Sequence, residues 1–172
     1  MNLRNPGKSP RLSGGVMRYS TWPTIQQQTV ADHTWQMMRI YREIWGAPDA
    51  SMFEHILFHD GAEVSVGDIP FPCKAENPDL KEVHGKLESR MLYQIHGYTN
   101  QMTEAEAWKL KVCDLIEMWE FGIVERVLGN RLGEPIELRT QNAVEILLEN
   151  PPIGVEASDV AGVKLYMEEA VQ

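Results

Sequence analysis

An all-α fold is predicted for this 172-residue chain by three features of its sequence. Apolar residues recur at helical spacing over most of its length. A Thr103-x-x-Glu106 pattern of the capping-box type opens the longest such run, and no segment alternates convincingly at strand period.

The elements follow in order. Residues 1–13 are polar and basic and read as a flexible arm, leaving 14–172 as one domain. Residues 14–29, with Gly14, Gly15 and Pro23, read as a loop with room for one short helix. From Val30 to Trp45, the line Val30, His33 and Met37, flanked by Met38, Tyr41 and Trp45, predicts a helix that Gly46 and Pro48 stop. A second helix is expected over Ser51–Val64, with Phe53, Ile56, Leu57 and Asp60 near one face. Pro70, Pro72 and Pro78 mark 65–80 as a structured loop. Further helices are predicted over Leu80–His96, from Thr103 to about Leu128 with Gly122 as a candidate break, and over 136–149 and 155–170.

Composition narrows the function. With 16 Lys+Arg against 25 Asp+Glu, a net charge of -9 argues against a broad contact with duplex nucleic acid. It leaves room for a small phosphorylated ligand, because a metal and a few local cations can invert the field in a pocket. The two cysteines, Cys73 and Cys113, are too few and too far apart for a disulfide scaffold or a thiolate metal site. No apolar stretch follows the N-terminus, so neither a signal peptide nor a membrane span is expected, and the cytoplasm is the expected location.

The chemistry-bearing residues centre on His59-Asp60 within FEHILFHDGAEV. On a continuous helix, Glu63 would share their side, three and four residues on. His33 lies in VADHTW and Asp114 in KVCDLIEMW, on two other predicted helices. Convergence of His33, His59, Asp60 and Asp114 would offer two imidazoles and two carboxylates, a set that suits Mn, Co, Fe, Ni or Zn better than Mg. Each residue alone has a plain reading, as a buried histidine or a helix-surface carboxylate. His55, His84 and His96 are assigned to that structural class.

The segments MRY (17–19), VADHTW (30–35), FHDGAEV (58–64), GDIPFPCK (67–74) and KVCD (111–114) occur in order at compatible distances. In them the chain resembles the HD-domain phosphohydrolases, in particular bacterial 5'-deoxynucleotidases and phage deoxynucleoside triphosphate hydrolases. The resemblance covers about the front two-thirds and implies an HD-domain helical bundle. It implies that His33, His59, Asp60 and Asp114 ligate a divalent metal (Co, Mn or Zn before Mg). Glu63 then orients or activates the attacking water, and Asp68 is its companion near the leaving group or sugar. Arg18, Lys74 and Lys111 correspond to phosphate-contacting residues. The nucleotidases carry tryptophan after the arginine, against the deoxyribose. Here that position is Tyr19, smaller and bearing a hydroxyl, with Trp22 three residues on to supply part of the lost surface.

The expected function is therefore a metal-dependent phosphohydrolase acting on a small deoxynucleotide. The first reading is a 5'-deoxynucleotidase releasing phosphate from deoxynucleoside 5'-monophosphates. The alternative is a phage-type triphosphohydrolase, dATP-preferring, which would place the chain in a host cytoplasm. A degenerate HD fold serving as a binding or scaffolding module is the non-enzymatic alternative. The resemblance also implies a homo-oligomer, dimer or hexamer. Trp108, Trp119 and Phe121 on the long helix supply aromatic surface for either an interface or the core.

Overall fold

A computed structural model describes residues 8–170, so residues 1–7 of the expected arm lie outside the described residues. The described chain is helical, as expected: α1 (Pro10–Ser13), α2 (Val30–Trp45), α3 (Ala50–Phe58), α4 (Glu63–Val66), α5 (Phe71–Glu76), α6 (Pro78–His96), α7 (Glu104–Val127), α8 (Gly133–Glu149) and α9 (Ala157–Ala170). An antiparallel bridge pairs Met17 with Thr29. Among the described residues, no helix is long and apolar enough to cross a membrane. Internal contacts group the chain into two compact units. The first comprises residues up to Thr34 with Leu57–Gln101, and the second Trp35–Ile56 with residues from Met102 on. Two of the three boundaries fall inside α2 and α3, and the third lies between α6 and α7.

The second unit holds the larger core. Met37 and Ile40 of α2, Met52 and Ile56 of α3, Val112, Cys113, Ile116 and Trp119 of α7, Val144 of α8 and Val163 of α9 are all buried in it. Each such side chain contributes about 1.5–3 kcal/mol on burial when it is of Val, Leu, Ile or Met size. The buried face of α3 is Met52, His55 and Ile56, whereas Phe53 and Leu57 are exposed, one residue out of phase with the predicted face. Trp108, Trp119 and Phe121 of α7 are buried, so these rings serve the interior of their unit. The capping box is real: Thr103 Oγ1 accepts the Glu106 N–H (3.2 Å) and Glu106 Oε2 accepts the Thr103 N–H (2.8 Å). Gly122 does not break α7. It permits the approach of α8, since a Cβ there would stand 2.6 Å from the Glu137 nitrogen.

In the first unit, Ala62, Met91, Leu92, Ile95 and Tyr98 form a smaller core, with Phe58, Val64, Val66 and Leu87 packed on it. Residues 65–80, expected as a loop because of prolines 70, 72 and 78, contain helix instead. Pro72 lies in the first turn of α5, and Pro78 opens α6, positions where a missing N–H costs nothing. Gly97 then ends α6 in the left-handed region (φ 69°).

Candidate metal centre

The helix expected over 51–64 stops at Phe58, and this break sets the geometry of the centre. The Gly61 N–H donates to the Phe58 carbonyl (2.9 Å) and the Glu63 N–H to the Asp60 carbonyl (3.0 Å), so His59 and Asp60 sit in tight turns ahead of α4. Gly61 leaves room for His96, because a Cβ at 61 would lie 2.8 Å from His96 Nε2 and 3.2 Å from the Phe58 oxygen. Glu63 consequently begins a new helix instead of sharing a continuous one with His59.

Three of the four expected ligands converge within the first unit. His59 Nε2 lies 3.2 Å from His33 Nε2 and 3.2 Å from Asp60 Oδ2, and His33 Nε2 lies 3.7 Å from the same oxygen. Ligand atoms about 2.0–2.2 Å from a shared tetrahedral centre stand about 3.3–3.6 Å apart, so this triangle has the size of a metal-ligand face. His33 is fully buried, and the His59 side chain is only 12% exposed. Arg18 Nη1 also reaches Asp60 Oδ2, at 2.5 Å. Burial pushes the Asp60 carboxyl up. His59, Arg18 and His33 outweigh that and hold it well below the usual carboxylate range.

Glu63 experiences the opposite balance. Burial, then the charges of Asp60 and Asp68, push its carboxyl up to about 9, against Arg18 and Lys74. Its Oε2 is buried with no hydrogen-bond partner among the described residues. A buried acceptor left unsatisfied costs about 1–3 kcal/mol. Together with the ligand triangle, this orphaned oxygen fits a centre built to hold a cation and a water.

The remaining expected residues divide between the two units. Tyr19 has a left-handed backbone (φ 54°) and gives its N–H to Asp68 Oδ2 at 3.3 Å. The Arg18 guanidinium lies 5.9 Å from the Tyr19 ring centroid, within cation–π reach. Trp22 is half-buried, and its N–H donates to the Tyr19 carbonyl (2.9 Å). Lys74 lies 3.9 Å from Glu88 Oε1, which also faces His84 Nδ1 at 3.1 Å. Glu88 therefore bears on Lys74, and the i, i+4 spacing of His84 and Glu88 is the signal for it in the sequence. Asp114 and Lys111 stand on α7 in the second unit and pair with each other at 2.6 Å.

The profile of the HD domain family matches residues 15–119, well over half of the chain. The chain belongs to the HD-domain family. The matched HD-domain region contains every candidate residue from Arg18 to Asp114. A dATP triphosphohydrolase of Cyanophage S-2L is 30% identical over 110 residues, which are 59% of this chain and 61% of that relative. The alignment thus spans less than two-thirds of the relative's length. A solved structure, the Cyanophage S-2L HD phosphohydrolase DatZ bound to dA and one catalytic Zn2+ ion, superposes with a TM-score of 0.77. That likeness covers 94% of each chain at 20% identity and shows that this HD-domain protein shares its fold.

Proposed function

We propose that this HD-domain chain is a metal-dependent phosphohydrolase that converts a deoxynucleoside triphosphate, dATP before others, into deoxynucleoside and triphosphate. The observation that carries the phosphohydrolase reading is the His33, His59 and Asp60 triangle with the unsatisfied Glu63 Oε2 in its field. The motifs alone favour the 5'-deoxynucleotidase. Similarity to a phage dATP triphosphohydrolase favours the alternative instead.

The reaction adds water across the P–O5' bond. Water oxygen bonds to the α-phosphorus, the bond to the sugar oxygen breaks, and a proton passes to that oxygen. A divalent cation, zinc or cobalt before magnesium for this nitrogen-rich set, supplies Lewis-acid polarisation of a phosphoryl oxygen when bound. Glu63 Oε2 is the atom assigned to orient the water and take up its proton. Positive charge added near Asp60 favours the Glu63 carboxylate, the form able to accept that proton. Arg18 and Lys74 bind phosphate oxygens, and the Tyr19 and Trp22 rings pack against the deoxyribose. On the motif alone, Asp114 is assigned as a further ligand and Lys111 as a further phosphate contact. A homo-oligomer, supported by the family resemblance, and action in the cytoplasm belong to the same reading.

A product assay tests the proposal. Metal-stripped protein is reloaded in turn with Mg, Mn, Co and Zn and given deoxy- and ribonucleoside mono- and triphosphates. Triphosphate released from dATP, with monophosphates untouched, is the expected result. Phosphate released from monophosphates would restore the nucleotidase, and no product with any metal would favour the scaffolding module.

A further inference from the structure

We propose that Asp68 is a positioning residue, whose carboxylate holds the Tyr19 backbone in its left-handed turn and thereby presents Arg18 and Tyr19 as a pair. The segment that carries them is pinned at its base by backbone bonds: Val30 N–H to the Val16 carbonyl (2.9 Å) and Arg18 N–H to the Gln28 carbonyl (2.9 Å). Tyr19 is the first residue beyond this ladder. There the chain takes a positive φ of 54°, which side-chain-bearing residues seldom adopt and which persists where surrounding contacts fix it. The contact on its N–H comes from a distant part of the sequence, Asp68 Oδ2 at 3.3 Å. On its carbonyl side the Trp22 N–H closes the turn at 2.9 Å.

The consequence extends to both side chains. Arg18 precedes the constrained residue, reaches Asp60 Oδ2 at 2.5 Å and lies 5.9 Å from the Tyr19 ring. A change in the Tyr19 backbone therefore swings the ring assigned to the sugar and loosens the guanidinium assigned to phosphate. Asp68 acts on substrate through Tyr19. This assignment differs from a proton-transfer role: it requires an acceptor oxygen at position 68, but neither a titrating group nor a charge. Asparagine supplies that oxygen and alanine does not.

The enzymatic part of the test rests on the proposed phosphohydrolase reading, whereas the exchange part does not. Amide hydrogen exchange at Tyr19 is measured by NMR in wild type, Asp68→Ala and Asp68→Asn, with the Met91 and Leu92 amides of α6 as the report on an intact fold. In parallel, KM and kcat for dATP are measured at matched metal content. Asp68→Ala is expected to lose protection at Tyr19 about tenfold, the order expected for one hydrogen bond, and to raise KM more than it lowers kcat. Asp68→Asn is expected to recover both protection and KM.

Unchanged Tyr19 exchange in Asp68→Ala would overturn the proposal. So would an Asp68→Asn protein that keeps Tyr19 protected yet loses kcat as Asp68→Ala does, since that pattern marks proton transfer. If Asp68→Ala does not fold, Asp68→Asn decides alone: lost Tyr19 protection with α6 intact overturns it. A wild type without turnover would sink the phosphohydrolase reading and leave the exchange result to decide this one.

Discussion

His33 Nε2 and His59 Nε2 face each other at 3.2 Å, with Asp60 Oδ2 completing a triangle around the same point. Two imidazole nitrogens at that separation either share one proton or direct two lone pairs at a cation. Removing one of them should therefore weaken metal binding before it disturbs the fold. His59→Asn is the milder choice, because His33 is fully buried and His59 is not. Zinc or cobalt affinity measured by calorimetry should fall by at least about 10- to 100-fold, the loss known even for outer-shell changes. Wild type saturated at 100 times Kd should gain about 2.7 kcal/mol over stripped protein, with a higher melting temperature. Equal affinity in the variant would remove His59 from the ligand set.

Glu63 should matter to turnover without holding the metal. Its Oε2 has no hydrogen-bond partner among the described residues, and its proton affinity is raised by burial, Asp60 and Asp68. Glu63→Gln keeps the volume and removes the proton acceptor. At matched metal content, kcat is expected to drop about 10²–10⁴-fold, the usual share of a positioned acid or base. Full activity would exclude Glu63 from proton transfer, and a protein that no longer holds metal would make it a ligand.

The parts of this arrangement that were legible in sequence are those governed by local rules. Helix α2 begins and ends where the apolar spacing and Gly46 placed it, and the Thr103–Glu106 box forms as written. The motif residues Arg18, His33, His59, Asp60, Glu63 and Asp68 all fall in one unit. What sequence did not disclose depends on contacts remote along the chain. The close approach of Gly61 to His96, thirty-five positions away, leaves no trace in the periodicity, and neither does the break after Phe58. The left-handed Tyr19 likewise meets its acceptor, Asp68, far along the chain. The prolines are ambiguous for another reason: a residue that breaks a helix in its interior can start one in its first turn.

The capping box of α7 makes a stability prediction that depends on pH. Thr103→Ala should cost about 1 kcal/mol at pH 7, read by urea denaturation. The Glu106 carboxyl is held below its ordinary 4.5 by the Thr103 N–H and hydroxyl, with smaller help from Ser51 and His55. A folded value below the unfolded one stabilises fully above about 4.5, and the gain disappears as pH falls through the folded value. The stability gap between wild type and Glu106→Gln should therefore narrow between pH 7 and pH 3. A constant gap would mean that the charge of Glu106 contributes nothing to the box.

Two glycines inside helices should respond to alanine with opposite signs. Gly85 in α6 has no atom within 4 Å of a Cβ built on it, so Gly85→Ala gains only from the stiffer unfolded chain and better helix propensity. An increase of about 0.5–1 kcal/mol is expected. Gly122 in α7 has the same propensity to gain, but its Cβ would meet the Glu137 nitrogen at 2.6 Å and the Gly133 oxygen at 3.0 Å. Those atoms are backbone of α8 and cannot rotate away, as the end of a flexible side chain would. Overpacking of this kind costs about 1–3 kcal/mol and outweighs the propensity term. Denaturation midpoints of the two variants, measured side by side, should lie on either side of wild type. A stabilised Gly122→Ala would show that α8 yields to α7 at that crossing, and that glycine is not what brings the two helices together.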